Sequence, residues 1–414
     1  MESLQPHYTS ISDALEVLLG KANLHPRVER LRPQQAFSRV LAEDVIADLD
    51  IPPHDASHMD GYAVRSSDLA AARPDEPVRL RLRGQVPLGA YADLELGPGE
   101  AVRVPTGGYI PRGADAVVPV EEALLEGEEV VVRAPVPKGA HIYARGATIS
   151  RGALALRKGR LLTPQDIGLL LALGRATVSV YARPRAVVIP IGSELADVPE
   201  EGKIPNSHGP LVAGLLEGAG CEVELLNVVP DEPLEVKAVL KDALHRADLA
   251  LTIAGSSVGE KDVTERVLSE LEGLELLVHG LRLDPGRRGG CALVGHKPIF
   301  LLPGLILGTV SVLITLAMPV LQRLGSPGFP RIGARLAAEW RARRRYDFTK
   351  VVYLKLQERE GLLEALPLLG ETEKLTVLTE ANACMVVPEH VVELRRGTRV
   401  EALLLPGWPR GGEA

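Results

Sequence analysis

The chain has 414 residues, 24% of them Asp, Glu, Lys or Arg, and a formal net charge of −7; that length exceeds one hydrophobic core, so roughly two to four domains are expected. The mild acidity, with both signs interspersed and no basic face, argues against a nucleic-acid partner. Three cysteines, Cys221, Cys291 and Cys384, are far apart and lack metal-ligand spacing, which speaks against a disulfide framework or structural zinc and fits a reducing cytoplasm.

The first residues show no basic leader followed by an apolar core, so no signal peptide is expected. Residues 10–20, SISDALEVLLG, read as a capped helix that begins at Ser10 or Ser12 and stops at Gly20. After a second amphipathic segment, Pro52-Pro53 interrupts regular structure, and His54, Asp55, Ser57, His58 and Asp60 crowd together before Gly61 and Tyr62. Irregular spacing makes this a poor zinc set, whereas Asp and Ser closing on nearby N–H groups is ordinary turn chemistry. From 77 to 136, short β-branched runs alternate with Gly and Pro turns, which predicts a small, mostly antiparallel β domain over 51–144. Thr106-Gly107-Gly108 sits at a strand end, either as a tight turn or as a ligand contact. Asp115, Glu121 and Glu122 are read as solvated.

LTPQDIGLLLALG then signals a helix with Thr163 as N-cap, Pro164 at its first position and Gly174 past its end. It is expected to pack on the first helix, joining 1–50 and 145–183 in one elongated helical domain with the β domain inserted. From 184 to 326 strands alternate with helices, which implies a parallel sheet with helices on both faces. Residues 299–321 carry no charge and are long enough to cross a bilayer. Pro303-Gly304 and the later Gly308 and Pro319 favour instead a buried strand over 299–302, a loop, and a buried helix from about Thr309, with no membrane partner. The last section, 327–414, reads as a small β domain preceded by Arg341, Arg343, Arg344 and Arg345, a solvated basic segment or an anion patch.

Within the α/β section, residues 247–268 read as strand, glycine-serine loop and helix. Gly255, Ser256, Ser257 and Gly259 give flexible backbone and hydroxyls, and a helix starting near Asp262 aims free N–H groups at the loop. That suits an anion, although the same turn is an ordinary connection in such folds. Glu260 and Asp262 beside an anion suggest a hard cation between them; the plainer role for Asp262 is an N-cap, with Glu265 completing a capping box. Ligands of open parallel sheets bind at the carboxyl ends of the strands. Topology brings Ser193-Glu194, Asp231-Glu232 and the 255–262 loop to that edge.

HDASHMDGYAVR, VRVPTGGYIPRGADAVVPVEE, VVIPIGSEL, GAGCEV, VVPDEP and SSVGEKD recur in an order that resembles the molybdopterin molybdenumtransferases, the MoeA proteins and the gephyrin C-terminal domain. The resemblance covers nearly the whole chain and marks it as a divergent member. It implies an α/β multidomain fold: a central three-layer parallel-sheet domain, an inserted β-rich domain, a helical segment and a C-terminal small β domain. It also implies Mg2+-assisted insertion of molybdate into adenylylated molybdopterin with release of AMP, in molybdenum cofactor biosynthesis. Asp60, Thr106, Glu194, Asp231 and Asp262 match family functional positions. Glu194, Asp231 and Asp262 are expected to hold the metal and, with Asp60, to serve catalysis. Thr106, Gly255, Ser256, Ser257, Gly259, Arg287 and Arg288 are expected to bind substrate.

As partners, the resemblance implies a small-molecule pterin and oxyanion, a homodimer whose site is shared between chains, and contact with a molybdopterin adenylyltransferase. Several motifs depart from the family. Its K-P-G-K-P is Asp284-Pro285-Gly286-Arg287-Arg288, its P-G-N-P-V-S is residues 303–308, PGLILG, and its D-[ST]-N is Asn206-Ser207-His208. The acidic position of R-G-x-D-I is Thr148, and the C-terminal Ser-Gly pocket reads Thr372-Glu373-Lys374. A catalytically impaired paralogue acting as a pterin-cofactor binding or scaffold protein is the alternative, and a nucleotide pyrophosphatase sharing the α/β domain a third reading.

Overall fold

The computed structural model describes residues 8–89, 94–254, 263–342, 347–368 and 374–407. The chain forms two compact units, one of Met1–Arg30, Ser38–Ala42 and Ser179–Ala414, the other of Leu31–Phe37 and Glu43–Val178. In the first unit, α1 (Ile11–Lys21) starts at Ser10, whose hydroxyl accepts the Asp13 N–H at 3.0 Å. Ile11, Ala14 and Leu18 share one face and enter the α/β core beside Cys291, Leu293 and Leu316. That apolar face is therefore spent on the α/β core.

The second unit contains a six-stranded sheet of β1 (Gly61–Val64), β2 (Val78–Gln85), β3 (Glu100–Val104), β4 (Ala116–Pro119), β5 (Ala123–Glu126) and β6 (Glu129–Val132), ordered β4-β1-β3-β2-β6-β5. Only β2 and β3 run parallel. Both faces are covered, one by Tyr62, Leu80 and Val118 and their neighbours, the other by Val102, Val104 and Val117. Gly61 permits the close approach of β1 to β4, since a Cβ there would stand 2.4 Å from the Val118 carbonyl oxygen. Asp115 is a structural group and not merely solvated: it accepts the Ser66 N–H at 2.6 Å and the Ser66 hydroxyl at 3.1 Å. Helix α2 (Pro164–Ala172) opens with a Thr163–Asp166 capping box and packs on the turn Pro33–Gln35.

The first unit's large sheet comprises β7 (Arg185–Ile191), β8 (Glu222–Leu225), β9 (Leu249–Ala254), β10 (Leu274–His279), β12 (Gly290–Val294) and β13 (Lys297–Pro303), ordered β8-β7-β9-β13-β12-β10. Strands β8, β7, β9 and β13 are parallel, as the alternating pattern predicts. The sheet is mixed, however: β12 and β10 run antiparallel at its edge. Between them the chain leaves to form β11 (Leu283–Asp284), which pairs in parallel with a strand of the C-terminal barrel.

Alternation along β7 sends Ala186 and Val188 to one face and Val187, Ile189 and Ile191 to the other. The first face meets α1, α3 (His208–Gly218) and the helical run after β13. The second meets α4 (Pro233–Arg246) and α5 (Val263–Ser269). Three layers result. The run after β13 begins as α6 (Ile306–Val312), three residues before the expected start, passes through a π turn (Leu313–Ala317) and ends as α7 (Met318–Arg323). By length and composition it could cross a membrane, yet 83% of it is buried inside the protein. Gly308 fits α6 against its surroundings, because a Cβ there would lie 3.1 Å from Pro303 and 3.4 Å from the Gly286 backbone.

The C-terminal part is a closed β barrel of β14 (Arg331–Leu336), β15 (Thr349–Arg359), β16 (Leu362–Pro367), β17 (Ala383–Val387) and β18 (Arg399–Leu404), with α8 (Leu375–Glu380) between β16 and β17. Its pairings run β15-β16-β14-β18-β17 and back to β15, around a core of Leu336, Trp340, Leu354, Ala383 and Met385. Arg341 pairs with Glu339 and Glu393, while Arg343, Arg344, Arg345, Thr372 and Glu373 lie outside the described residues.

Candidate functional site

At the carboxyl end of β7 the chain is held against the segment before α4. Gly192 N–H donates to the Val229 carbonyl at 3.0 Å. Ser193 N–H donates to Asp231 Oδ2 at 3.0 Å, and the Asp231 N–H returns a bond to Ser193 Oγ at 3.1 Å. This reciprocal pair fixes Asp231 beside Ser193-Glu194. The Glu194 carboxyl folds back over Gly192, where a Cβ would stand 2.8 and 2.9 Å from its oxygens, so any larger residue at 192 would displace it. Lys203 Nζ donates to the Ser193 carbonyl, bringing an ammonium to the same edge. Sequence spacing gave no hint of Lys203, because it arrives on the short parallel pairing of Leu195–Ala196 with Ile204–Pro205.

Two of the three expected metal ligands, Glu194 and Asp231, thus occupy one exposed strand edge. Asp262 lies outside the described residues, as do Gly255, Ser256, Ser257, Gly259 and Glu260. Among the described residues no group of three or more His, Cys, Asp or Glu side chains is arranged for a metal. Two solvent-facing carboxylates nevertheless suit Mg2+, which prefers oxygen ligands, keeps several waters and is commonly held by one or two carboxylates.

The start of α3 lies in the same region. Asp197 accepts the Asn206 amide at 3.0 Å and the Val228 N–H at 2.9 Å, while Asn206 Oδ1 takes the Gly209 N–H at 3.0 Å. Asn206 therefore does the capping that Ser207 does not. His208, the first residue of α3, has a buried Nε2 that makes no hydrogen bond of ordinary geometry. Burial lowers its pKa below the ordinary imidazole value, and the backbone of Gly304, in the PGLILG segment, opposes that shift.

DPGRR begins at Asp284, the last residue of β11, and continues into the loop after it. Arg287 and Arg288 are exposed, and the loop is closed by Leu281 N–H to the Arg287 carbonyl at 2.9 Å and Gly289 N–H to the Gly286 carbonyl at 2.8 Å. Asp284 does not stand alone, since its register partner is Lys350 on β15.

In the other unit the structure brings Asp60 and Thr106 together. Asp60 Oδ1 accepts the Thr106 N–H at 2.6 Å and its hydroxyl at 2.9 Å. The Thr106 N–H, then its hydroxyl, hold the Asp60 carboxyl below the usual carboxylate range; desolvation opposes this and Arg103 adds to it. Thr106 also lies in a tight turn closed by Gly108 N–H to Pro105 O at 2.8 Å, with Gly107 at φ +75°, so turn and contact readings coexist. Around it, Asp55 accepts the Arg145 N–H at 2.7 Å and Ser57 Oγ donates to the Met59 carbonyl at 2.6 Å, the turn chemistry expected of this loop.

Three family models match the chain: the MoeA N-terminal region (domains I and II) over residues 9–174, a probable molybdopterin binding domain over 187–323, and the MoeA C-terminal region (domain IV) over 333–405. The molybdopterin molybdenumtransferase 2 of Mycobacterium tuberculosis (strain ATCC 25618 / H37Rv) is 32% identical over 379 residues, covering 89% of this chain and 92% of that protein. The molybdopterin molybdenumtransferase of Staphylococcus aureus (strain MSSA476) is 32% identical over 297 residues, 71% of this chain and 70% of that protein. The crystal structure of the molybdopterin biosynthesis MoeA protein from Pyrococcus horikoshii OT3 superposes with a TM-score of 0.80 at 30% identity, covering 96% of this chain and all of that one, 100%. In sequence along its length and in fold, the chain belongs to the MoeA family of molybdenum cofactor biosynthesis proteins.

Proposed function

We propose that this chain inserts molybdate into adenylylated molybdopterin, with Mg2+ assisting and AMP released. The observation that carries the proposal is the reciprocal Ser193–Asp231 bonding, which fixes two carboxylates at the sheet edge where ligands of parallel sheets bind. Glu194, Asp231 and Asp262 would hold the cation, which when bound offsets phosphate charge and polarises the bond under attack. Lys203 adds a positive charge at that edge. Gly255, Ser256, Ser257 and Gly259, with Arg287 and Arg288, are assigned to the pyrophosphate and molybdate oxyanions, which backbone N–H groups and guanidiniums recognise. Asp60 and Thr106 are assigned to the same reaction through a homodimer in which each copy completes the other's site. The substrate is adenylylated, so contact with the adenylyltransferase that makes it belongs to this reading, and three buried free thiols suit a reducing cytoplasm.

A second reading, a pterin-binding or scaffold paralogue, is favoured by Leu305, which is 37% exposed just before α6 and offers a ligand no hydrogen bond. One experiment separates them: purified protein incubated with adenylylated molybdopterin, Mg2+ and molybdate. AMP release with cofactor formation is expected. Tight pterin binding without AMP release selects the scaffold, and absence of pterin binding overturns both.

A further inference from the structure

Strand β10 ends at His279, whose ring reaches two different elements. Its Nδ1 lies 2.7 Å from Glu265 Oε2, in the first turn of α5, and its Nε2 lies 3.1 Å from the carbonyl oxygen of Arg288. A carboxylate and a carbonyl are acceptors only, and a neutral imidazole has a single N–H. The ring thus stands between an acceptor on α5 and an acceptor on the Arg288 loop. The register partner of His279 on β12 is Gly290, which brings no competing polar side chain. On its other side the Arg288 loop is fixed by packing, because the Gly286 backbone sits against Gly308 of α6.

We propose that His279 is a positioning residue: through its two ring nitrogens it ties α5 to the loop carrying Arg287 and Arg288. The arginine loop assigned above to the substrate's oxyanions is thereby held against α5. That consequence for substrate rests on the proposed function; the bridge itself does not.

The test uses the full chain without ligand. In protein labelled with 15N-histidine, the His279 ring signals, identified by their loss in His279→Phe, should shift in Glu265→Leu, which removes the carboxylate facing Nδ1. Amide hydrogen exchange in residues 263–269 and 281–290 should accelerate about tenfold in His279→Phe and in Glu265→Leu, the fold-change expected when a charge-assisted hydrogen bond holding a local segment is lost. Glu265→Gln, which keeps an acceptor for the Nδ1–H, should stay near the wild type. Ring signals unmoved in Glu265→Leu, or exchange unchanged in His279→Phe, overturns the bridge. With adenylylated molybdopterin as substrate, His279→Phe should raise KM about tenfold while kcat changes less than about twofold, the split expected of lost ground-state positioning. A wild-type protein inert toward that substrate would refute the proposed function, and the ring signals and exchange would still decide the bridge.

Discussion

Asp60 makes a local device with a measurable state. Thr106 supplies both an N–H and a hydroxyl to one carboxylate oxygen, and these hold the acid below its ordinary range. Thr106→Val removes the hydroxyl and keeps the N–H, so the Asp60 titration followed by NMR should move up part of the way toward the usual aspartate value. No upward movement would mean that the hydroxyl contributes nothing. His208 shows the opposite sensitivity, being an imidazole whose burial disfavours the charged form. Its folded pKa is depressed, so the unfolded chain binds the proton more readily, and stability present above the ordinary imidazole pKa is lost as pH falls toward the folded value. His208→Asn abolishes that contribution. Melting temperature measured from pH 7.5 down to 5.5 should fall more steeply in the wild type than in the variant; parallel curves would refute the assignment.

Helix α2 was legible as an element because its start obeys side-chain chemistry written within four residues. Thr163 accepts the Asp166 N–H at 3.3 Å, and Asp166 accepts the Thr163 N–H at 3.0 Å, so two free N–H groups of the first turn are satisfied reciprocally. Burial pushes the Asp166 carboxyl up, but the Arg160 guanidinium at 2.9 Å and the Thr163 N–H and hydroxyl outweigh it and hold the acid below its usual range. Asp166→Ala should cost about 1–2 kcal/mol, the usual loss for a cap, read from denaturant unfolding. The sign with pH follows from the depressed folded pKa: the contribution is complete above the ordinary aspartate pKa and disappears as pH falls through the folded value. The cost of Asp166→Ala should therefore shrink in strong acid. Helix α6 was harder to place, since no cap marks its start; Leu305 precedes it without a side-chain bond, and its position is set by packing of Gly308 on Pro303 and Gly286.

Across the whole molecule, what could be read from sequence was what local pattern encodes. Alternating strands and helices specified the parallel part of the sheet, and the Asp-Gly-Tyr and Thr-Gly-Gly stretches specified the Asp60 and Thr106 segments. Pairings between distant stretches were not legible: Lys203 joins the Glu194 edge through a two-residue parallel pairing, and β11 leaves the large sheet to join the barrel. That second pairing changes the meaning of Asp284. By sequence it is an acid where the family carries a lysine, hence an attraction for phosphate reversed. In the structure it lies in register with Lys350, a lysine only 4% exposed. Burial lowers the Lys350 pKa, and Asp284, followed by Asp347 and Glu389, opposes that shift. A buried ammonium needs compensating negative charge, and Asp284 is the first of the acids that supply it. Asp284 thus serves the junction between sheet and barrel, and a lysine at 284 would set two like charges side by side. Asp284→Lys should destabilise the protein, Asp284→Asn by less, and the exchange Asp284→Lys with Lys350→Asp should recover part of the loss in a double-mutant cycle. Equal unfolding midpoints for wild type and Asp284→Lys would return Asp284 to the phosphate side and leave Lys350 to its other neighbours.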